Sequence, residues 1–524
     1  MNKDFDINKN FNENIDPSMF EFVQNEKKIS DTKMSTKRIS YFKDALIRFC
    51  RNKASVTAFC IIILLFLFAI FIPMIASNTY TKTVNDNNAK YYQKLLPKIN
   101  EAGTGFWDGT KVETIGAATY KKYKAIEQET GHKIIVEEIE TMQVDGKTRY
   151  KVRLDSYAMM GDGGDTLTFA LMTFTLEEYQ AIQKYQDEKN VQVIYPAVSF
   201  LVDANGKPVL QGNRNPAYVW YQHDAKGNPV YDNEGKLQNI YVVNPNIKDE
   251  YTSKMRVPGD DGSYKYAKYS GTASFECRIH LYEYFKYLYD TEPIFAFGTD
   301  TKGFDILTRL AKGARLSFLL SFFVASINLV IGAIWGSIAG YYGGTTDLVM
   351  ERITDILGNV PFMVVTTLFQ LHLASKVGAV PSLLFAFVTT GWIGTAGTVR
   401  MQFYRYKNQE YIMAARTLGA KDSRLMFKHI FPNALGTIIT SSVLVIPSVI
   451  FSESSLTYLG IVNLEGSGQT SVGTMLANGR TQLQYFPHII LFPAIFISLL
   501  MITFNLFGNG LRDAFNPSLR GSED

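Results

Sequence analysis

The sequence predicts an α-helical polytopic membrane protein with six transmembrane helices and an extracellular α+β domain between helices 1 and 2. Three observations lead there. Six mostly apolar runs stand in the chain, each near the length of about 20 residues that a helix needs to cross a bilayer. Lys and Arg gather on one side of those runs, which sets their orientation. A polar stretch of roughly 220 residues, rich in Tyr, Asn, Asp and Lys, separates the first run from the other five. The overall hydrophobic content of 46% averages over this split and taken alone would suit a soluble protein.

The first span is "SVTAFCIIILLFLFAIFIPMIAS", residues 55–77, which carries no charge. Residues 1–54 precede it, so it is expected to remain as a span; the apolar core of a cleaved signal peptide comes much earlier. The other spans are expected at 316–342, 353–374, 380–399, 435–460 and 488–508. Spans three to five are less apolar. Their Gly, Ser, Thr and Pro suit helices packed on helices, where small residues permit close approach. Lys37, Arg38, Lys43, Arg48, Arg51 and Lys53 stand ahead of span one and place the tail 1–54 in the cytoplasm. Six crossings return the tail 510–524, with Arg512 and Arg520, to the same side. The loop 400–434 between spans four and five is then cytoplasmic too. Its seven Lys and Arg against two acids, counted from Arg400 to Lys428, agree.

The segment 78–297 is long enough for a domain. Long loops are translocated largely regardless of charge, so its lysines do not oppose an outside location. "TYKKYKAIEQETGHKIIVEEIE" reads as a helix, a stop at Gly131 and a strand. Thr175 is a good N-cap for a second helix, with acids in its first turn. "DANGKP" from Asp203, "DAKGNP" from Asp224 and "DNEGKL" from Asp232 read as hairpin turns. They lack the regular ligand ladder and closing Glu of a calcium loop.

No catalytic constellation stands out. "GKT" at Gly146–Thr148 has Thr141 where a phosphate-binding loop needs its first Gly. The six histidines are scattered, without metal-ligand spacing. Cys50, Cys60 and Cys277 fit no disulfide framework. The sequence thus predicts no cofactor, no metal and no enzymatic activity, and a net charge of +4 gives no reason to expect nucleic acid.

The loop between spans four and five contains "VRMQFYRYKNQEYIMAARTLGAKDSRLMFKHIFPN". Its middle reads as a helix containing Gly419, with small residues Ala414 and Ala415 and basic flanks. A basic juxtamembrane helix can bind anionic lipid. Small residues also let such a helix seat in a groove of another protein. "MAARTLG…HIFPN" resembles the EAA loop of binding-protein-dependent ABC importer permeases. Ala414, Ala415 and Gly419 match, and Pro432 falls thirteen residues after the Gly. Met413 stands where the family has Glu. "FGTDTKGFDILTRLAKGARLSF" from Phe297, "ESSLTYLG" from Glu453 and "NLFGNGLRDAFNPSLR" from Asn505 resemble further elements of the oligopeptide, dipeptide and nickel permeases. Phe304 and Thr308 depart from the first of these elements.

The resemblance implies a permease core at 298–509 of the ABC importer type. It implies a subunit that moves oligopeptides delivered by an external binding lipoprotein; dipeptides, nickel or another small solute are alternatives. The partners it implies are a second homologous permease and two cytoplasmic ATP-binding subunits, which would dock on Ala414, Ala415, Arg416, Gly419, Ala420 and Pro432. A membrane-anchored ligand receptor is the reading from another class, and it would not need such a loop. Asn359, Pro361 and Glu453 are candidates for the translocation path. Polar groups at membrane depth face the bundle interior by default, although Asn359 could serve only helix–helix hydrogen bonding and Glu453 could face water at a span end. Pro361, Pro447 and Pro493 are expected to kink spans three, five and six.

Overall fold

A computed structural model describes residues 41–76, 91–160, 169–195, 210–211, 215–216, 257–258, 264–265, 274–465 and 469–515. The turns at Asp203, Asp224 and Asp232, and the far ends of both tails, lie outside the described residues.

The chain enters through an amphipathic helix, α1 (Tyr41–Arg51), and turns at Asn52 into α2 (Lys53–Ala76). The Asn52 side chain accepts from Ser55 N at 3.2 Å and so caps α2. Ala45 and Phe49 of α1 are buried, and Phe49 meets Phe507 near the chain's end, ring centroids 5.5 Å apart.

Between α2 and the next apolar helix stand two copies of one β-α-β-β unit. The first runs β1 (Thr110–Gly116), α3 (Ala117–Thr130), β2 (Ile135–Val144) and β3 (Lys147–Asp155). The second runs β4 (Phe169–Thr175), α4 (Leu176–Lys189), β5 (Ile194–Tyr195) and, after the short strands β6 (Leu210–Gln211), β7 (Asn215–Pro216), β8 (Val257–Pro258) and β9 (Tyr264–Lys265), β10 (Ser274–His280). In both, the last strand is central, in the orders β1-β3-β2 and β4-β10-β5. A constant offset of 59 residues relates the elements (110 to 169, 117 to 176, 135 to 194). The register agrees as well: Ile135 faces Leu154 as Ile194 faces Ile279.

Each helix ends on a left-handed residue, Gly131 or Asn190. In each unit a side chain from the last turn returns to the following strand. Glu127 accepts from Ile134 N and Ile135 N at 2.8 and 2.6 Å; Gln186 accepts from Val193 N and Ile194 N at 2.7 and 2.8 Å. Thr175 caps α4 in a reciprocal box with Glu178, as the sequence predicts. The copies differ at their second hairpin. The first closes it with Asp145–Gly146, both left-handed, so "GKT" is simply a turn and the start of β3. The second spans residues 196–273 there.

After α5 (Leu281–Tyr289) the apolar bundle begins: α6 (Ile306–Tyr342), α7 (Gly344–Gly358), α8 (Phe362–Val377), α9 (Ala379–Tyr406), α10 (Glu410–Thr417), α11 (Asp422–Arg424), a wide π-turn (Leu425–Ile430), α12 (Phe431–Val443), α13 (Val445–Tyr458), α14 (Val472–Gly479) and α15 (His488–Phe515). Five helices among the described residues are long and apolar enough to cross a membrane, or six if the bent pair α7 and α8 counts as one. That count fits the six expected spans, with two corrections.

The run 353–374 is not one helix. It breaks at 359–361 with a bend of 71°. Pro361 has no N–H to continue α7 and sits as the cap before α8, while the Asn359 side chain donates to Asp355 O at 2.7 Å and closes α7. Span five, expected at 435–460, runs as Asp422–Tyr458. Its π-turn precedes Pro432, whose ring would crowd a regular turn; Phe431 N reaches back five residues to Met426 O. Pro447 follows the α12–α13 break at Leu444; its missing N–H leaves the carbonyl of Val443, the last residue of α12, without a helical donor. Pro493 lies inside α15, as expected.

The main core packs α2, α6 and α15 through Ile62, Leu65, Phe318, Phe496, Leu500 and Phe504. α6 and α9 meet along Gly332, Gly336 and Gly340. A methyl on Gly340 would stand 2.6 Å from Phe403 Cβ, and one on Gly332 would stand 2.7 Å from Thr395 Cβ. Only glycine permits that backbone approach.

Candidate functional site

The loop after α9 is anchored from below and bare above. Ile412 of α10, Leu425 and Met426 of the π-turn and Ile430 are buried against Tyr341, Val399 and Phe403. On the outer face Tyr411, Met413 and Leu418 are exposed, Leu418 at 88%. The helix lasts eight residues. Gly419 does not lie within it, as the sequence suggested; it ends it. Its φ is +80°, and a side chain there would meet open space. Gly419 N closes on Arg416 O at 2.9 Å and Ala420 N on Ala415 O at 3.1 Å. The two alanines part company: Ala414 is exposed, whereas Ala415 and Ala420 pack inward on the anchoring cluster. Arg416 is exposed, but its side chain reaches across to Tyr341. Its guanidinium donates to the Tyr341 hydroxyl at 3.3 Å, and that hydroxyl donates to Asp422 at 2.6 Å. Pro432 is exposed at the start of α12.

A second clamp stands beside this loop. Arg400 of α9 donates to both oxygens of Asp347 on α7, at 2.6 and 2.7 Å, and pairs with Glu351 at 2.5 Å. The Tyr404 hydroxyl donates to Asp347 at 2.6 Å. Asp347, Glu351, Arg400 and Asn359 border a recess of 290 Å³. Asn359 therefore adjoins a cavity, but its amide is engaged with Asp355 O.

At the opposite end of α6 lies a different arrangement. Asp305 caps the helix, accepting from Thr308 N at 3.0 Å. Asp300 accepts from Lys302 N and Phe304 N at 2.8 and 3.0 Å. Arg309 bridges Asp300 and Glu465. Lys302 and Asn478 each also reach Glu465 at 2.6 Å. Burial pushes the Glu465 carboxyl up, yet Lys302, Arg309 and Asn478 outweigh it and hold the group below its ordinary value. The connection thereby locks to the α13–α14 link. Leu95 N donates to Thr299 Oγ1 at 2.8 Å and ties the preceding segment to the same loop.

Glu453 corrects an expectation. It does not face water. It is 1% exposed on α13, accepting from Ser317 Oγ at 3.0 Å and Thr457 Oγ1 at 3.1 Å. The hydroxyls of α6 and its own helix satisfy it, so it joins α13 to α6.

The sequence profile described as "Binding-protein-dependent transport system inner membrane component" matches residues 332–521. The profile of the "N-terminal TM domain of oligopeptide transport permease C" matches residues 40–97. The oligopeptide transport system permease protein OppC of Bacillus subtilis is 46% identical over 224 residues, covering 43% of this chain and 72% of the relative. The chain belongs to this family of transport permeases. The dipeptide transport system permease protein DppC of the same organism is 40% identical, covering 43% of this chain and 69% of the relative. OppC of Escherichia coli is 37% identical, covering 44% and 75%.

This permease is a helical, multi-pass membrane protein, and its two matched stretches leave residues 98–331 between them. Both β-α-β-β units fall in that interval. Two features of the permease were not found by sequence reasoning: the Tyr341–Arg416–Asp422 tie and the Asp347–Arg400 clamp. Each joins residues more than 50 apart, and no local spacing announces such a contact.

Proposed function

We propose that this permease is a membrane subunit of an ATP-driven importer and passes oligopeptides delivered by an external binding lipoprotein. The observation that carries the reading is α10: a short helix pinned on one face, bare on the other, within the stretch matched to the permease family. A permease core that hydrolyses nothing must receive motion from a partner. Tyr411, Met413, Ala414 and Leu418 offer it an apolar contact face, and Lys421, Arg424 and Lys428 flank that face. Two cytoplasmic ATP-binding subunits, one per permease of a heteromeric pair, are the partners that suit this face. The α10 end and both termini then lie in the cytoplasm, in line with the Lys and Arg ahead of α2 and in 400–434.

Residues 78–297 stand outside, where a peptide-loaded lipoprotein arrives, and the duplicated units form its landing platform. Within Bacillus subtilis the identity is 46% to OppC against 40% to DppC, which supports oligopeptides over dipeptides. Uptake of a labelled oligopeptide by cells with and without this subunit tests the reading. Uptake is expected to vanish without the subunit and to return with it. Equal uptake in both would refute the proposal.

A further inference from the structure

Three spanning helices converge on a groove of 480 Å³ that no motif predicted. Asn328 supplies its α6 wall, Thr390 and Gly391 its α9 wall, and Ser441, Ser448 and Ser452 its α12–α13 wall. The volume lies within the range of about 300–1,000 Å³ usual for small-ligand sites. Its place is mid-span: Asn328 lies about 33 Å from the start of α6 and about 21 Å from its end, at about 1.5 Å per residue. Two of the broken helices reach it, α8 through Phe362 just after its 71° bend, and α12–α13 at their break, Leu444. Midplane sites formed by discontinuous helices are a recurrent way to hold a transported solute.

The wall is lined by hydroxyls and an amide. Ser441 Oγ donates to Ile438 O at 2.9 Å and Ser448 Oγ to Leu444 O at 3.0 Å. Each hydroxyl has one proton, so what both can still offer is lone pairs. Asn328 is 1% exposed, and its Oδ1 has no hydrogen-bond partner among the described residues. A buried acceptor without a partner calls for an explanation. Gly391 makes room for it; a methyl there would stand 3.2 Å from Asn328 Cγ. Phe362 and Phe387, ring centroids 5.0 Å apart, add an apolar surface. No charged residue lines the groove. The result is a polar slot, neutral in charge, in which Asn328, Ser441 and Ser448 offer acceptors.

We propose that this groove is a subsite of the translocation path that holds an extended peptide by its backbone N–H groups, through Asn328, Ser441 and Ser448. The proposal rests on the peptide-import reading above. Backbone N–H groups are common to peptides of every sequence, and a wall without charge favours neither acidic nor basic side chains. The groove therefore suits a permease that leaves selection to its binding protein.

The test uses the complete importer in proteoliposomes, with ATP hydrolysis stimulated by peptide-loaded binding protein and peptide accumulation read together. In the triple variant Asn328→Leu, Ser441→Ala, Ser448→Ala, stimulated hydrolysis is expected to stay within about twofold of wild type while peptide accumulated per ATP falls at least tenfold. Ser441→Thr with Ser448→Thr keeps both hydroxyls and should retain accumulation. Unchanged accumulation in the triple variant overturns the proposal. So does a parallel loss of hydrolysis and subunit assembly, which would make the groove a seat for the second permease. If the wild-type importer accumulates no peptide at all, the import reading itself has failed.

Discussion

The two ends of α6 are built on opposite principles. At its start, Asp300, Arg309, Lys302, Glu465 and Asn478 satisfy one another, and Asp300 and Arg309 are almost fully buried. Near its other end, α10 keeps one buried face and exposes Met413 and Leu418 with nothing above them. The first arrangement resists motion. A buried charge network tolerates no loss of a partner, because the remaining charges would stand unpaired in a poorly solvated site. The second leaves an apolar face open, and on the proposed reading another protein covers it. Substitutions at the two ends should therefore separate stability from transport.

The largest expected effect on stability is at Arg309. Arg309→Met leaves Asp300 and the Arg309 side of Glu465 without their cation and should cost about 3–5 kcal/mol. Thermal unfolding of the purified subunit reads this, and a loss below about 1 kcal/mol would show the network to be dispensable. Next come the repeated bridges of the β-α-β-β units. Glu127→Ala and Gln186→Ala each strand two backbone N–H groups and should cost about 1–3 kcal/mol apiece. Loss of protection from hydrogen exchange at Ile134 and Ile135 in one variant, and at Val193 and Ile194 in the other, would locate the damage. A change confined to one of the two would break their equivalence.

A smaller effect depends on pH. Glu465 is held below its ordinary value in the folded chain, so it binds a proton less readily there than in the unfolded chain. Its contribution is present above the ordinary carboxylate value of about 4.5 and is lost as pH falls through the lower, folded value. The difference in melting temperature between wild type and Glu465→Gln should accordingly shrink on acidification below about pH 4.5. A difference constant with pH would contradict the charge network. The smallest effect is expected at Met413. Its side chain is half exposed and stands where the loop pattern it resembles has Glu, so Met413→Glu should leave melting unchanged and uptake within about twofold.

The spans were legible because a run of apolar residues has few alternatives to crossing a bilayer. A short helix between spans four and five was legible, but its end at Gly419, with a φ of +80°, was not. The break at Asn359–Pro361 was half legible: proline forbids continuation, but composition does not say whether a helix kinks or stops. The duplication was hidden for a geometric reason. "YKAIEQ" from Tyr123 and "YQAIQK" from Tyr179 suggest an offset of 56, whereas the structure aligns the units at 59. Three residues is close to one helical turn, so both registers bury the same face. The hydrogen bonds of Glu127 and Gln186 choose between them. The burial of Glu453 was not legible either: its hydroxyl partners lie 136 residues away on Ser317 and beside it on Thr457.

The central claim is that motion enters this permease through α10 and the turn at Gly419. Gly419→Asp puts a side chain into the open space above that turn, at a backbone strain of about 1 kcal/mol. One measurement tests the claim most directly: labelled-oligopeptide uptake by cells carrying Gly419→Asp, normalised to the amount of subunit inserted in the membrane. The account predicts normal insertion with uptake abolished. Normal insertion with normal uptake would contradict it.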